Sequence, residues 1–394
     1  MFKRLLQFPQ KSFFLLGPRG TGKSTWLKQH DFALKIDLLR SRERLEYERD
    51  HSILHERVAK LKRGDWVLID EVQKIPALLD EVHSIYEDKK INFALSGSSA
   101  RKLKRSGANL LAGRALNYRM FPLVFPEYES GLIKADFKFQ DLIDWGTLPL
   151  ILSAPDHRAE TLEAYIDNYL RQELIEEGIV RKMDPFSRFL YVAGQMNGQI
   201  LNVENIAREA KVKRPSVDNY FEVLADTLLG FRLRAYQPGL RVNEVTHPKF
   251  YFFDSGVARA AAGLTRDEID DAYRGFLFET FILNEVSCYN EYLGKKRELF
   301  YYALRSGGDI DLIIQLQKRT QMRSDRVIAI EIKLGKKIRS EWLDFLIRFD
   351  SDQKNTIAQR KIIVYNGTTP ETRHGIDILP VEVFLTELYQ GKIY

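Results

Sequence analysis

The sequence predicts a multidomain α/β chain, and three observations carry that prediction. An apolar strand runs into a glycine-rich loop that ends in Lys-Ser and opens a helix. A second apolar strand ends in two acids. Far downstream, apolar strands again carry charges, in the order Asp…Glu-x-Lys. At 394 residues the chain is too long for one core, so two or three domains are expected. The patterns divide it at 1–130, 131–198, 199–260 and 261–394.

The first element is the strand Ser12-Phe13-Phe14-Leu15-Leu16. Gly17-Pro18-Arg19-Gly20-Thr21-Gly22-Lys23-Ser24 follows, and fits the phosphate-cradling pattern G-x-x-x-x-G-K-[ST]. Thr25-Trp26-Leu27-Lys28 opens the helix. Glycines let the backbone turn its N–H groups onto a phosphate. The new helix points its positive end the same way. Lys23 is expected to reach the β/γ-phosphates and Ser24 to hold Mg²⁺, which makes ATP and Mg²⁺ the expected cofactors.

Trp66-Val67-Leu68-Ile69 is the next informative strand, and it ends in Asp70-Glu71. An acid at the carboxyl end of a parallel strand beside a P-loop can hold the metal's shell, and the next acid can orient water. We assign Asp70 to the metal and Glu71 to the water. A third strand, Ile91-Asn92-Phe93-Ala94-Leu95, runs into Ser96-Gly97-Ser98-Ser99. Ser96 and Ser98 are candidates for sensing the γ-phosphate; a helix N-cap is the competing reading.

The segment from Arg101 to Arg119 holds Arg101, Lys102, Lys104, Arg105, Arg114 and Arg119, with no acid. Three readings compete: an arginine acting on the γ-phosphate in cis or from another copy in a homo-oligomer, contacts to nucleic-acid phosphates, or a solvated basic loop. Arg114, framed by Leu110-Leu111-Ala112-Gly113, is the choice for the nucleotide role.

Composition sets limits. The one cysteine, Cys288, excludes internal disulfides and multi-cysteine zinc sites, so a reducing cytoplasm is the expected setting. No apolar run approaches the ~20 residues of a membrane span. A formal charge of +6 permits a nucleic-acid partner without requiring one.

Residues 131–198 read as helical, with Leu162, Tyr165, Ile166 and Tyr169 at helical spacing, and suit a lid or a connector. From 199 the pattern is helix (Val203 to Ala210), basic turn (Lys211 to Arg214), and a second helix with Pro215 in its first turn. Two alternating segments follow, Phe231 to Tyr236 and Lys249 to Phe253. The arrangement resembles a winged helix-turn-helix, with Lys213, Arg214, Ser216 and Asn219 available to a DNA groove. Packing between domains or subunits is the alternative.

Gly275 to Leu283 reads as a buried helix bearing Glu279. Asp309-Ile310-Asp311 opens a strand, and Val327 to Lys333 is a strand carrying Glu331-Ile332-Lys333. Residues two apart on a strand share a face, so Glu331 and Lys333 project together. Asp311 and Glu331 are expected to bind Mg²⁺, with Lys333 positioning water and Glu279 a further ligand. The alternative is a Glu331–Lys333 pair with Asp311 as a strand-end cap. Residues 318–339 hold eight Lys/Arg against two acids, which suits a phosphodiester. The Asp…Glu-x-Lys order resembles the restriction-endonuclease-like core.

The chain as a whole resembles the prokaryotic AAA-type P-loop ATPases that end in a large uncharacterised C-terminal domain. The resemblance rests on the P-loop, Val67 to Gln73, Leu95 to Ser99, Leu111 to Arg114, and Phe121-Pro122-Leu123. It continues through Ser216 to Tyr220, Lys249 to Gly256, Gly275 to Glu279, Asp309 to Asp311, and Glu331 to Lys333. It implies an AAA-like ATPase core, a winged helix and a nuclease-like end. Asp309 stands where Glu is more usual and Ser216 where Thr is common. The function expected is an ATP-hydrolysing machine that engages DNA, with metal-dependent cleavage by the C-terminal domain open. The alternative is a nucleotide-controlled regulatory or protein-interaction switch whose nuclease-like domain does not cut.

Overall fold

Five short apolar segments form the first sheet: β1 (Phe13–Leu16), β2 (Leu34–Asp37), β3 (Trp66–Asp70), β4 (Asn92–Gly97) and β5 (Leu116–Arg119). All pairs are parallel, in the order β2-β3-β4-β1-β5. The computed structural model describes residues 2–99, 113–130, 138–170, 183–237, 246–304, 307–352 and 356–394. Strand β1 is buried at all four positions, as a parallel sheet covered on both faces requires. Helix α1 (Lys23–Leu27) leaves the tip of β1, and α2 (Ser41–Arg49) and α3 (Ile53–Arg57) follow β2. Helix α4 (Leu78–Lys89) buries Leu78, Leu79, Val82 and Ile85, one face of a 3.6-residue period. Parallel strands bring their carboxyl ends to one edge, and the loop after β1 lies there beside the ends of β3 and β4.

A helical segment follows: α5 (Phe125–Glu129), α6 (Phe139–Trp145), α7 (Pro149–Leu152) and α8 (Arg158–Ala164), which continues as a π-helical stretch over Tyr165–Leu170. Next come α9 (Met183–Gln195), α10 (Val203–Glu209) and α11 (Arg214–Asp226). The Asn202 side chain caps α10, accepting from the Asn205 amide at 3.0 Å. Val217, Phe221 and Leu224 form the inner face of α11. An antiparallel hairpin, β6 (Gly230–Ala235) and β7 (Lys249–Phe252), closes this unit. The alternation expected of Lys249 to Phe253 is absent: all four residues of β7 are buried.

Helix α12 (Ser255–Ala261) leads to α13 (Asp271–Tyr292), longer at both ends than the segment expected from Gly275 to Leu283. The remaining strands are β8 (Glu298–Ala303), β9 (Asp309–Gln317), β10 (Asp325–Lys333), β11 (Thr356–Tyr365), β12 (Glu371–Arg373) and β13 (Ile376–Pro380). They join the hairpin in one eight-stranded sheet, β12-β13-β11-β10-β9-β8-β6-β7, in which β6 runs parallel to β8 through Arg234 and Ala235. The sheet therefore crosses the boundary placed at residue 260. Ile328, Ile330 and Ile332 of β10 enter one apolar core, while Val327 and Ala329 enter another beside α14 (Glu341–Asp352). The last helix is α15 (Val381–Tyr389). Among the described residues no helix is long and apolar enough to cross a membrane.

Candidate functional site

Strand β1 delivers Gly17 to the sheet edge, where its N–H donates to the Gly97 carbonyl at 3.2 Å. A Cβ at Gly17 would sit 2.6 Å from the Met120 carbonyl oxygen, so no larger residue fits. Gly20 and Gly22 hold φ of 77° and 91°, the left-handed region that glycine adopts without penalty. Lys23 is buried and its Nζ donates to the carbonyls of Gly17 at 2.6 Å and Pro18 at 3.0 Å. The Thr21 hydroxyl donates to Pro18 O at 2.7 Å. Two groups brace the loop from outside: Arg4 Nη1 donates to Thr21 O at 2.9 Å, and the Tyr165 hydroxyl donates to Arg19 O at 3.2 Å. Ser24 is half-buried and Thr25 exposed.

Strand β3 brings Asp70 and Glu71 to the same edge, and both are buried. The Ser96 hydroxyl donates to Asp70 Oδ1 and accepts from the Glu71 amide at 3.2 Å. Glu71 holds φ of 61°, a left-handed conformation unusual for a residue with a side chain. Gln73 Nε2 donates to Glu71 Oε2 at 2.5 Å and to Ser98 Oγ at 3.0 Å. Burial raises the Glu71 pKa, and the nearby Lys23 ammonium partly offsets that. Ser96 thus serves Asp70, while Ser98 connects to Glu71 through Gln73.

One assignment needs correction. Arg114 stands before the start of β5, and β5 pairs parallel to β1 from Leu116 opposite Phe13. That is the amino-terminal edge of the sheet, opposite the P-loop, where Arg114 pairs with Glu87 of α4. Arg114 therefore does not serve the P-loop of its own chain. Arg101, Lys102, Lys104 and Arg105 lie outside the described residues.

The C-terminal candidates do come together. Asp311 on β9 and Glu331 on the adjacent β10 are buried, and Lys333 Nζ lies 2.5 Å from Glu331 Oε1 and 3.5 Å from Asp311 Oδ2. The Ile332 amide donates to Asp311 Oδ2 at 2.8 Å. Glu279 reaches the cluster from α13. A residue missing from the sequence reading stands among these acids. Lys249 Nζ, from the first position of β7, lies 3.5 Å from Asp309 Oδ2, 3.7 Å from Asp311 Oδ1 and 3.8 Å from Glu279 Oε2. Tyr251 of the same strand donates to Glu279 Oε2 at 2.9 Å. Burial, then Asp311, push Glu279 and Glu331 upward in pKa. Burial alone would lower Lys249, but Glu279, Asp311 and Asp309 reverse this and hold it raised.

Residues 9–129 match the family described as "AAA domain", 136–268 "Domain of unknown function (DUF8612)", and 274–384 "Domain of unknown function (DUF4143)". The chain therefore carries an AAA P-loop ATPase domain followed by two domains of unknown function. An uncharacterized protein of Haemophilus influenzae is 22% identical over 288 residues, 66% of this chain and 72% of its own length. The uncharacterized protein MJ1637 of Methanocaldococcus jannaschii is 25% identical over 413 residues, 88% of this chain and 80% of its own. A solved Thermotoga maritima RuvB mutant aligns with 13% identity and a TM-score of 0.30, over 56% of this chain and 82% of that one.

Nucleotide and metal fit the AAA-domain site differently from the cluster. The P-loop's glycine cradle, buried Lys23, Ser24 and the buried Asp70 are a donor set suited to Mg²⁺–ATP. A metal does not fit the C-terminal cluster in the same way. Among the described residues no three His, Cys, Asp or Glu side chains are placed to hold a metal ion. Glu279, Asp309 and Asp311 face an ammonium, which corrects the expectation that Glu279 and Asp311 stand ready as ligands. One buried oxygen, Glu331 Oε2, has no hydrogen-bond partner among the described residues.

Proposed function

We propose that the AAA domain binds Mg²⁺–ATP in the loop after β1 and hydrolyses it. The observation that carries this reading is the placement of buried Lys23, on the carbonyls of its own glycine loop, beside the buried Asp70–Glu71 pair. Lys23 would leave those carbonyls for the β/γ-phosphates, which are better partners for an ammonium. Ser24 and Asp70 would hold Mg²⁺, which neutralises charge on the phosphate oxygens. Glu71 orients water, and Gln73 holds Glu71 in place. Lys23→Ala removes the ammonium. Calorimetry with Mg²⁺–ATP should then record no binding for the variant and binding for the wild type. Equal affinities in the two would reject the assignment.

In this proposal the helix–turn–helix engages DNA. Lys211, Lys213, Arg214 and Asn219 are exposed at the turn and the first turns of α11, where a reading helix of a winged helix meets the groove. An arginine from a second copy acting at the γ-phosphate would make the ATPase a homo-oligomer, and Arg114 keeps that role only across such an interface. A non-cleaving C-terminal domain is favoured over metal-dependent cutting by one observation, the Lys249 ammonium among the acids that would otherwise serve a metal.

A further inference from the structure

We propose that Lys249 is the resident cation of the acidic cluster. It stands where the endonuclease-like reading puts a divalent metal, and turns the cluster into a charged latch that ties β7 to α13 and β9. This inference does not depend on the ATPase reading, because it concerns the nucleotide-free chain and a different domain.

The geometry divides the carboxylates between two ammonium groups. Lys249 Nζ takes Glu279 Oε2, Asp309 Oδ2 and Asp311 Oδ1, all between 3.5 and 3.8 Å. Lys333 Nζ takes Asp311 Oδ2 and Glu331 Oε1. Both Asp311 oxygens therefore face a cation, and Oδ2 also accepts from the Ile332 amide. Mg²⁺ demands oxygens at about 2.0–2.1 Å in near-octahedral array. An ion placed on Asp311 and Glu279 would lie close to the Lys249 ammonium, and like charges in a buried, weakly screened site repel strongly.

Lys249 is also poorly able to withdraw. Strand β7 is buried at every position, Lys249 pairs with Leu233 across the hairpin, and it bridges to Ile200. Its ammonium lies 5.4 Å from the centre of the Tyr301 ring, within range of a cation–π attraction. Two residues along, on the same side of the strand, Tyr251 donates to Glu279. One strand thus supplies both a charge and a hydrogen-bond donor to acids carried by α13 and β9. The buried Glu331 Oε2 is left without a partner, but one oxygen is not a metal cage.

The test is Mn²⁺ binding to the full, nucleotide-free chain, followed by electron paramagnetic resonance and by the thermal midpoint. Wild type and Asp311→Asn should take up the same amount of Mn²⁺. Lys249→Gln keeps most of the side chain's bulk but removes the ammonium that Glu279, Asp309 and Asp311 face, so the acids are free to close on an added cation. The variant should gain one site at least about tenfold tighter than anything in the wild type, lost again in Lys249→Gln/Asp311→Asn. Mn²⁺ should raise the midpoint of Lys249→Gln and not that of the wild type. A wild-type Mn²⁺ site that disappears in Asp311→Asn would overturn the proposal, as would a folded Lys249→Gln that binds no better than wild type. If Lys249→Gln does not fold, the comparison of wild type with Asp311→Asn decides alone: equal uptake upholds the latch and reduced uptake in Asp311→Asn refutes it.

Discussion

Glu71→Gln is the sharpest probe of the hydrolytic reading. The substitution keeps side-chain length, so the left-handed backbone at 71 bears the same strain as before. The new amide oxygen can still accept from Gln73 Nε2, which donates to Glu71 at 2.5 Å in the wild type. What disappears is the second carboxylate oxygen, the acceptor that would hold a proton of the attacking water. Positioned proton acceptors contribute about 10²–10⁴ in rate. Each factor of ten is about 1.4 kcal/mol of barrier, so the change should raise the barrier by about 3–5 kcal/mol. On the proposed reading binding falls to Lys23, Ser24 and the loop amides, so affinity for Mg²⁺–ATP should not move. The assay is steady-state phosphate release beside calorimetric affinity. A turnover number within about threefold of wild type would refute the role, because it falls far short of the roughly 10²–10⁴ typical of a positioned proton acceptor. Acidity supplies a second reading of the same group. Burial raises the Glu71 pKa, so its ionised form is lost above the ordinary carboxylate range as pH falls. Turnover should fall through that raised value, not near the value of an exposed glutamate. The sign for stability is opposite. A raised carboxyl contributes stability at low pH, and that contribution is lost as pH rises through the folded-state value.

Two other predictions test the scaffold and the DNA reading. Gly146 has φ of 77°, and a Cβ there would lie 2.0 Å from Asp254 Oδ1, while Asp254 Oδ2 accepts from the Thr147 amide at 2.8 Å. Gly146→Ala should therefore lose about 3 kcal/mol or more of stability from backbone strain and the displaced carboxylate; urea unfolding within about 0.5 kcal/mol of wild type would contradict the contact. Lys213→Ala and Arg214→Ala should each reduce the slope of log affinity for duplex DNA against log salt by about 1, and an unchanged slope in both would remove α11 from the interface.

The P-loop and the strand tipped by Asp70-Glu71 were legible because each is a local pattern. Strand, glycines, Lys-Ser and helix occupy one stretch, and the chemistry lies within it. Glu331 and Lys333 were legible for the same reason: a two-residue period puts them on one face, and the 2.5 Å pair is its consequence. Lys249 was not, because a lysine at the head of an apolar run reads as the solvated start of a strand. Its acids come from α13 and β9, and only the pairing of β6 with β8 brings the hairpin to them. The signal available was the run itself: Lys249-Phe250-Tyr251-Phe252 is too apolar for a strand with a wet face. The choice between cis and trans for Arg114 was not legible, because the sequence does not reveal which edge of the sheet precedes β5. Gln73 lies two residues beyond Glu71, yet nothing in that spacing announces that a tight turn over Val72–Lys74 folds it back onto Glu71.

The apolar interior limits where a nucleotide can act. The AAA domain has its own cores, one holding Phe14, Ile69 and Val82 and another holding Phe13, Trp26 and Leu68. A single larger core runs from Leu123 to Ile393 and includes the helical segment, the helix–turn–helix and one face of the C-terminal sheet. Parting those three regions would expose fully buried side chains, each costing about 1.5–3 kcal/mol. The contacts between the AAA domain and that body include weaker, exchangeable ones. Arg4 joins Thr21 O to the Tyr292 hydroxyl of α13, Tyr165 holds Arg19 O, and Glu285 of α13 accepts from the Phe125 amide. A typical hydrogen bond is worth about 1 kcal/mol net, within reach of differential nucleotide binding. Two of these bonds end on carbonyls of the P-loop itself, at Arg19 and Thr21. A phosphate that draws Lys23 away from Gly17 and Pro18 would therefore act on the same loop that the rest of the chain holds through Arg4 and Tyr165.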